Sequence, residues 1–283
     1  MKRFVVISLR SSNYDVIFIH RSLVPNGIGY LERLLQKYNH NILFDFDDAI
    51  FEFPRNKKNM PVFLRQAKHI ISGSPFLKRY AIQFNTNVHE IPTCLKLSDL
   101  KNKVQQKNTD IVLGWIGSPM NLKHLKLVSK SIKKIMLKYN TVQFKIICDG
   151  QAYSIDNRIN HRIEGIQWTL DKEIDLIDTI DIGIMPLYED NYSKGKCGFK
   201  LIQYMSMGKA VICSPVGINA NIVEHNINGF HASNDEEWEL YLDKLISNTT
   251  KRNDMGKYGR QKVEKLFSLD VCLKKIDLIL KEM

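Results

Sequence analysis

Three lysines stand close together at the start of an apolar run in KGKCGFKLIQYMSMGKAVICSPVG (residues 194–217). The apolar spacing predicts a helix that begins near Gly198. This puts Lys200 in its first turn and Lys196 just ahead of it, one turn away on the same side. Cations at a helix N-terminus oppose the helix dipole at a cost of about 0.3–1 kcal/mol each, and a bound anion reverses that disadvantage. The pattern predicts a phosphate site, with solvated surface lysines as the alternative.

A second candidate phosphate loop is GWIGSPMNLKHL (residues 114–125). Gly114 and Gly117 permit close approach of the backbone to a ligand, and free N–H groups at the start of the next helix could hold phosphate. Glycines between a strand and a helix also form simple tight turns. This loop therefore predicts a phosphate contact only in combination with other features.

Both loops lie in a chain that alternates strands with helices. Short β-branched and aromatic runs predict strands at FVVISL (4–9), DVIFIH (15–20), NILFDF (41–46), DIVLGWIGS (110–118), DIGIMPL (181–187) and AVICS (210–214). The polar stretch KLSDLKNKVQQKNT (96–109) predicts a linker. We therefore expect an α/β fold with a mainly parallel, doubly wound sheet in each half. Ligands bind such sheets beyond the carboxyl ends of the strands, where both candidate loops lie.

The composition narrows the class of partner. The 283 residues carry a formal net charge of +11, which suits a nucleotide diphosphate, a nucleic acid or an anionic membrane surface. Nucleic acid is disfavoured, because the lysines lack interleaved aromatic residues and any known motif for it. The five cysteines form no CxxC pair, which favours reduced thiols and the cytoplasm. The N-terminal apolar run is too short for a signal peptide, and no segment reaches the length of a membrane span.

A lysine-rich helix is predicted at NLKHLKLVSKSIKKIMLKYN (residues 121–140). Its apolar residues line one side and its lysines lie largely elsewhere. A solvated outer face is the first interpretation, and peripheral docking on the anionic inner face of a membrane is the alternative.

Several motifs together resemble one known family. In their order along the chain, the segments DIVLGWIGSPMNLKHL, DIGIMPLYEDNYSKGKCGFKLIQYMSMGKAVICSPVGINANIVEHNINGF and EEWELYLDKLI resemble the nucleotide-sugar-binding domain of family-4, group 1 glycosyltransferases, which have the GT-B fold. The first half is similar more loosely to the acceptor domain of that family, without the strands and glycine loop that normally open it. The resemblance implies two Rossmann-like domains with mainly parallel sheets, the first one abbreviated. These are residues 1–100 on the acceptor side and 109–268 on the donor side, with 269–283 as a C-terminal helix that crosses back to the first domain.

The resemblance implies transfer of a sugar from a nucleotide diphosphate, with an unspecified base, to a glycan or lipid-linked acceptor in cell-surface polysaccharide synthesis. The reaction would retain the anomeric configuration and need no metal or other cofactor. Charge develops on the leaving diphosphate, so fixed cations and N–H groups aimed at it lower the barrier. The donor-binding residues it implies are Gly117, Ser118, Lys123, Lys196, Lys200, Gln203, Ser214 and Gly217.

This chain departs from the family pattern at three positions. Ser118 stands where an arginine often follows the glycine, and Gly195 and Gln203 stand where two glutamates are usual. Gln203 can still hydrogen-bond to a ribose hydroxyl, whereas Gly195 offers no side chain. The departures are typical of a subfamily that relies on Lys196 and Lys200.

An acidic run, DFDDAIFE (residues 45–52), follows a predicted strand in the first half. Asp45 and Asp47 have the DxD spacing with which GT-A enzymes hold a metal, but this half resembles an acceptor domain. We therefore expect Asp47 and Asp48 to contact the acceptor or line a cleft, with helix capping and solvation as the alternative. His20, at the end of DVIFIH, is a candidate for hydroxyl binding or for a base, and a structural role is its alternative.

The short first half leaves a second function open. A protein that keeps the donor-binding fold but lacks a complete acceptor domain would bind nucleotide, or a protein partner, without turnover.

Overall fold

The computed structural model describes residues 10–23, 28–99 and 110–283. The chain forms two compact units. The first unit consists of Met1–Thr93, Glu189–Cys197 and Asp270–Met283, and the second of Cys94–Tyr188 and Gly198–Leu269. The chain therefore leaves the second unit after Tyr188 and returns to it at Gly198. The predicted strand FVVISL and residues 100–109 of the predicted linker lie outside the described residues.

Strands and helices alternate along most of the described chain. The strands are β1 (Ile17–His20), β2 (Ile42–Phe46), β3 (His69–Ser72), β4 (Val88–Glu90), β5 (Ile111–Ile116), β6 (Val142–Cys148), β7 (Ile163–Gln167), β8 (Ile182–Met185), β9 (Ala210–Cys213) and β10 (Phe230–His231). The α-helices are α1 (Tyr30–Tyr38), α2 (Pro54–Gln66), α3 (Pro75–Ala81), α4 (Ser129–Lys138), α5 (Glu173–Asp178), α6 (Asn191–Lys194), α7 (Phe199–Ser206), α8 (Asn219–Ile222), α9 (Asp235–Ser247), α10 (Thr249–Leu266) and α11 (Leu269–Lys281).

Each unit contains one parallel sheet, which confirms the predicted α/β class. The first sheet has the order β1-β2-β3-β4 and the second the order β10-β9-β8-β5-β6-β7. All pairings between these strands are parallel. In the first unit, the Phe44 ring of β2 packs edge-on against Phe63 of α2 with ring centroids 5.1 Å apart. Because both faces of such sheets are covered, the central strands are apolar along their length, as β8 and β9 are.

The helix predicted over residues 121–140 is divided in two. A 3₁₀ helix spans Pro119–Leu127 and α4 follows after Val128. The apolar residues Leu122, Leu125 and Val128 are spaced by three, which matches the three residues per turn of a 3₁₀ helix. From Val128 onward the buried positions follow α-helical spacing, so the two parts of the same amphipathic run take different helix types.

The lysines of α4 form a ladder with the acidic face of α9. Three ion pairs join residues four apart on both helices: Lys130 with Asp235 at 3.7 Å, Lys134 with Glu239 at 2.7 Å, and Lys138 with Asp243 at 2.6 Å. The basic face of this helix is therefore neutralised within the second unit. In the described ranges, no helix is both long enough and apolar enough to span a membrane.

Candidate functional site

The second sheet reverses its strand order between β5 and β8. β5 pairs with β6 on one side and with β8 on the other, and the β8 pairing involves only Leu113 and Gly114 of β5. Beyond Gly114 the two strands have no further pairing. In open α/β sheets, ligands bind in the crevice at such a point, outside the carboxyl ends of the strands. The candidate donor site therefore lies where β5 ends.

Tyr204 of α7 closes the gap between β5 and β8. Its hydroxyl accepts a hydrogen bond of 2.8 Å from the Ile116 N–H, at the last residue of β5. The side chain is fully buried and its ring lies over Gly183, where any side chain would collide with it. Burial raises the pKa of the Tyr204 hydroxyl, which therefore stays neutral. The hydrogen bond and the ring packing over Gly183 together connect α7 to the ends of β5 and β8.

Lys200 lies one helical turn before Tyr204 and on the same face of α7. Its alkyl chain runs beside Gly117, because a Cβ added at that glycine would lie 3.0 Å from Lys200 Cε. Its Nζ lies 5.1 Å from the centroid of the Trp115 ring. The contact is a cation–π interaction with a side chain that is itself buried. We call Trp115, Gly117, Gly198, Lys200 and Tyr204 the Lys200 site.

The helix that carries Lys200 begins where the sequence predicts. Gly198 is its N-cap, with a left-handed φ of 68°, and Phe199 is its first residue. An added Cβ at Gly198 would collide with Ile222, so both the backbone and the packing require glycine. Lys200 is thus a cation in the first turn of a helix, next to N–H groups that the helix leaves without internal partners. This is the local arrangement of an anion site.

The loop after β5 differs in detail from its predicted role. The Gly117 N–H donates a 3.0 Å hydrogen bond to the Ile147 carbonyl of β6, so it does not point at a ligand. Gly117 contributes space for Lys200 instead. Ser118 is exposed, and its hydroxyl accepts a hydrogen bond from Asn121. Lys123 is exposed on the 3₁₀ helix that follows.

The remaining predicted donor residues lie on α7 and after β9. Gln203 is 5 % exposed, so little of it is open to a ligand. The Ser214 hydroxyl accepts a hydrogen bond from the Leu187 N–H at 3.1 Å, and the Ser214 carbonyl accepts one from Asn219 at 3.2 Å. Gly217 has a left-handed φ of 58°. Their contacts with a donor stay predictions.

Asn219 is a residue that the sequence reasoning missed. It is 1 % exposed, and its Oδ1 has no hydrogen-bond partner among the described residues. This oxygen lies close to Gly198, 3.4 Å from the position that a Cβ there would take. It offers an acceptor beside the start of α7. The sequence signal that could have indicated Asn219 as a candidate is its position two residues after Gly217.

A second polar cluster lies in the first unit, at the carboxyl ends of β1 and β2. The His20 Nδ1 lies 2.9 Å from Asp45 Oδ2. Arg21 donates from Nε to Asp47 at 2.5 Å and from a terminal nitrogen to Asp48 at 2.8 Å. We call these five residues the Arg21 cluster. The structure therefore brings the three catalytic candidates His20, Asp47 and Asp48 together, and it gives both aspartates a guanidinium partner.

Arg21 holds an uncommon backbone conformation. Its φ is 60°, in the left-handed region that bulky residues rarely adopt. The Arg21 N–H donates to the Asp45 carbonyl at 2.8 Å, and the two carboxylates hold its side chain. The hydrogen bond to Asp47 raises the pKa of the guanidinium, so its charge is permanent. Strain of this kind persists only where several contacts determine it, and it is concentrated at functional sites.

His20 is the exposed member of the cluster, with 51 % of its side chain accessible. The hydrogen bond to Asp45 raises the pKa of the imidazole above its usual 6.5, and partial burial acts in the opposite direction. With the Nδ1 proton donated to Asp45, Nε2 is the nitrogen left for a ligand. It lies 3.9 Å from Asp47 Oδ1.

Lys196 does not share a helix with Lys200. It precedes the first residue of α7 by three positions, ahead of the helix as predicted, and the left-handed Gly198 lies between Lys196 and α7. Lys196 belongs to the first unit, where its Nζ lies 4.5 Å from the centroid of the Tyr192 ring. The two lysines therefore have separate local environments.

The fold defines a class of protein. Two α/β units, each with one parallel sheet, match the architecture of GT-B glycosyltransferase structures. Residues 110–248 match the family model for glycosyl transferases group 1. This match assigns the segment 110–248 to the group 1 glycosyltransferases.

Solved structures support the same fold at low sequence identity. Anabaena Alr3699/HepE, solved with UDP and glucose, is 15 % identical with a TM-score of 0.76, over 98 % of this chain and 80 % of that one. A glycosyltransferase from Rickettsia africae is 18 % identical with a TM-score of 0.75, over 99 % and 81 %. Sucrose-phosphate synthase from Thermosynechococcus elongatus is 14 % identical with a TM-score of 0.70, over 95 % and 74 %. No curated protein sequence matches the chain.

Proposed function

We propose that this glycosyltransferase moves a sugar from a nucleoside diphosphate donor to a glycan or lipid-linked acceptor, with retention of configuration, in cell-surface polysaccharide synthesis. The observation that carries the proposal is the position of Lys200. Its ammonium group lies in the first turn of α7, beside the glycine loop at the switch point of the second sheet.

The Lys200 site would act on the leaving group. As the glycosidic bond breaks, negative charge increases on the β-phosphate. A fixed ammonium and the N–H groups at the start of α7 then stabilise the transition state more than the ground state. The packing of Lys200 between Trp115 and Gly117 orders the side chain before the ligand binds, which reduces the entropy lost on binding. In this proposal fixed cations take the part that a divalent metal plays in GT-A enzymes.

The nucleotide is proposed by comparison. Alr3699/HepE was solved with UDP and glucose, and it shares the fold of this chain. UDP is therefore the first nucleotide to test, with GDP as the second. Gln203, Ser214, Gly217 and the Asn219 Oδ1 are proposed as polar or close backbone contacts to the rest of the donor, and Lys196 as a further cation.

The Arg21 cluster is proposed to recognise the acceptor. The accessible Nε2 of His20 would hydrogen-bond to an acceptor hydroxyl, while Asp45 holds the ring through Nδ1. Arg21 engages Asp47 and Asp48, which orders both carboxylates at the end of β2. Because Arg21 already pairs with both carboxylates, Asp47 and Asp48 are better suited to positioning hydroxyl groups than to binding a metal ion.

The proposed compartment is the cytoplasm. None of the five cysteines is in a disulfide bond, and Cys148, Cys213 and Cys272 are buried. This supports a reducing environment. The ladder pairs three of the four lysines of α4 with α9, and the fourth, Lys133, pairs with Asp156 at 2.8 Å, so this helix gives no support to docking on an anionic membrane.

A thermal-shift panel followed by a turnover assay tests the proposal. The Tm is measured with UDP, GDP, UDP-sugars and GDP-sugars, because a ligand that binds only the folded state raises it. Hydrolysis of the most stabilising sugar nucleotide is then measured, with and without candidate glycan acceptors. We expect a shift with at least one nucleoside diphosphate and release of the same diphosphate from its sugar. A shift without turnover would support the non-catalytic alternative, and no shift with any nucleotide would contradict the donor site itself.

A further inference from the structure

Three side chains far apart in the sequence meet in the first unit. His69, His89 and Glu282 each offer one ligand atom, and these three atoms lie within 4.8 Å of one another. None of them belongs to the Lys200 site or to the Arg21 cluster. Imidazole nitrogens together with a carboxylate form the donor set of many zinc sites.

The first sheet explains why the two histidines meet. β3 and β4 are parallel neighbours in a register that pairs Ile71 with His89. Side chains alternate along a strand, so His69, two residues before Ile71, projects from the same face as His89. Among the described residues β4 is an edge strand of the first sheet, so His89 lies on the edge strand and His69 on the strand beside it.

The C-terminal segment brings the third group. α11 ends at Lys281, and the Glu282 N–H still donates to the Ile279 carbonyl at 3.1 Å, so Glu282 continues the last turn of the helix. The Lys68 Nζ, directly before β3, donates a 2.6 Å hydrogen bond to the Met283 carbonyl, and this contact holds the residues after α11 close to β3. The exposed carboxylate of Glu282 is thus held beside the two rings.

The distance between the two histidine nitrogens is close to that in a tetrahedral metal site. His69 Nδ1 and His89 Nε2 are 2.9 Å apart. Two nitrogen ligands at about 2.0–2.1 Å from a tetrahedral zinc ion are about 3.4 Å apart, so small rotations of the rings suffice. His69 is 6 % exposed while Glu282 is exposed, which gives the site a buried side and an open side. Water could complete the coordination from the open side.

We propose that His69, His89 and Glu282 bind a divalent transition-metal ion of the Zn²⁺ class and thereby tie the end of α11 to the edge of the first sheet. Imidazole and carboxylate ligands suit Zn²⁺, Ni²⁺ and Cu²⁺ far better than Mg²⁺ or Ca²⁺. The site is separate from sugar transfer, which is proposed to need no metal. Without a metal, the two neutral rings share one hydrogen bond.

Metal titration of the full chain, prepared without a histidine tag, tests the proposal. Zn²⁺ is titrated by calorimetry, and Co²⁺ is added in parallel so that its visible spectrum reports the ligand types. We expect one Zn²⁺ per chain, a Tm that rises with Zn²⁺ concentration, and a Co²⁺ spectrum without thiolate charge-transfer bands. Glu282→Gln, an exposed and nearly isosteric change, should weaken Zn²⁺ binding by about tenfold or more, and His89→Gln should abolish it.

A matched control separates ligation from loss of charge. Asp277→Asn removes one charge from the same helix, where Asp277 pairs with Lys281 at 2.6 Å, and it should bind Zn²⁺ as the unmodified protein does. Circular dichroism and the Tm in EDTA establish that each variant is folded. Absence of stoichiometric Zn²⁺ binding, unchanged affinity in Glu282→Gln or His89→Gln, or thiolate bands with Co²⁺ would each overturn the proposal.

Discussion

Replacing Tyr204 with phenylalanine tests how the donor side of the molecule is held together. The change removes one oxygen atom and leaves the buried ring in place over Gly183. The Ile116 N–H then loses its 2.8 Å hydrogen bond to the Tyr204 hydroxyl, and Ile116 itself is 4 % exposed. A buried donor left unpaired costs about 1–3 kcal/mol, and no cavity large enough to refill with water is created. We therefore expect the free energy of unfolding to fall by about 1–3 kcal/mol.

Equilibrium unfolding in urea measures this loss directly. Tyr258→Phe is the matched control, because Tyr258 is 51 % exposed and the same atom is removed in contact with water. Its effect should stay within about 0.5 kcal/mol. The reasoning would be refuted if Tyr204→Phe changed the free energy of unfolding no more than Tyr258→Phe does.

Three further changes test the glycines and the histidine of the two sites. Gly198→Ala and Gly208→Ala both force alanine to a φ of 68°, which costs about 1–2 kcal/mol. Only at Gly198 would the new Cβ also collide with a packed side chain, so Gly198→Ala should lower the free energy of unfolding in urea by at least about 1 kcal/mol more than Gly208→Ala. Equal losses would contradict that packing. Gly117→Ala places a Cβ 2.6 Å from a buried tryptophan ring and should lower the free energy of unfolding by about 1–3 kcal/mol, whereas an unchanged value would mean that the loop has room for a side chain. Asp45→Asn should lower the pKa of His20, read from an NMR titration. Because the folded-state pKa of His20 is raised, protonated His20 stabilises the fold: this contribution is fully present below the unfolded pKa and is lost as the pH rises through the folded pKa. An unchanged His20 titration in Asp45→Asn would exclude Asp45 as the cause of the raised pKa.

The alternation of apolar strands and amphipathic helices was sufficient to predict the parallel α/β class. The apolar spacing also predicted that α7 begins near Gly198, which is the N-cap of the helix in the structure. It did not predict α2, in which polar residues and the internal Pro61 obscure the periodicity. It also joined the 3₁₀ helix at Pro119–Leu127 to α4, since a spacing of three fits either helix type.

The candidate sites were only partly predictable for a physical reason. Lys200 could be chosen from its place in a helix start, and the aspartates from their place after a strand. The groups that position them, Tyr204 and Arg21, act through contacts between segments distant in the sequence. The same holds for His69 and His89, which become neighbours only through the register of β3 and β4. A pattern within one segment carries no information on such pairs.

Calorimetric titration of UDP into the protein and two lysine variants tests the central claim most directly. Lys200→Met keeps the alkyl chain beside Gly117 but removes the charge, and Lys134→Met removes a lysine of the same charge that pairs with Glu239 in the α4 ladder. A charge-assisted contact to phosphate contributes about 1.5–3 kcal/mol, so Lys200→Met should weaken UDP binding about 10- to 150-fold. Lys134→Met should leave the Kd within about twofold, because exposed charges distant from a ligand are screened by salt. Equal effects of the two variants, or unchanged UDP affinity in Lys200→Met, would contradict the assignment of Lys200 as the diphosphate ligand.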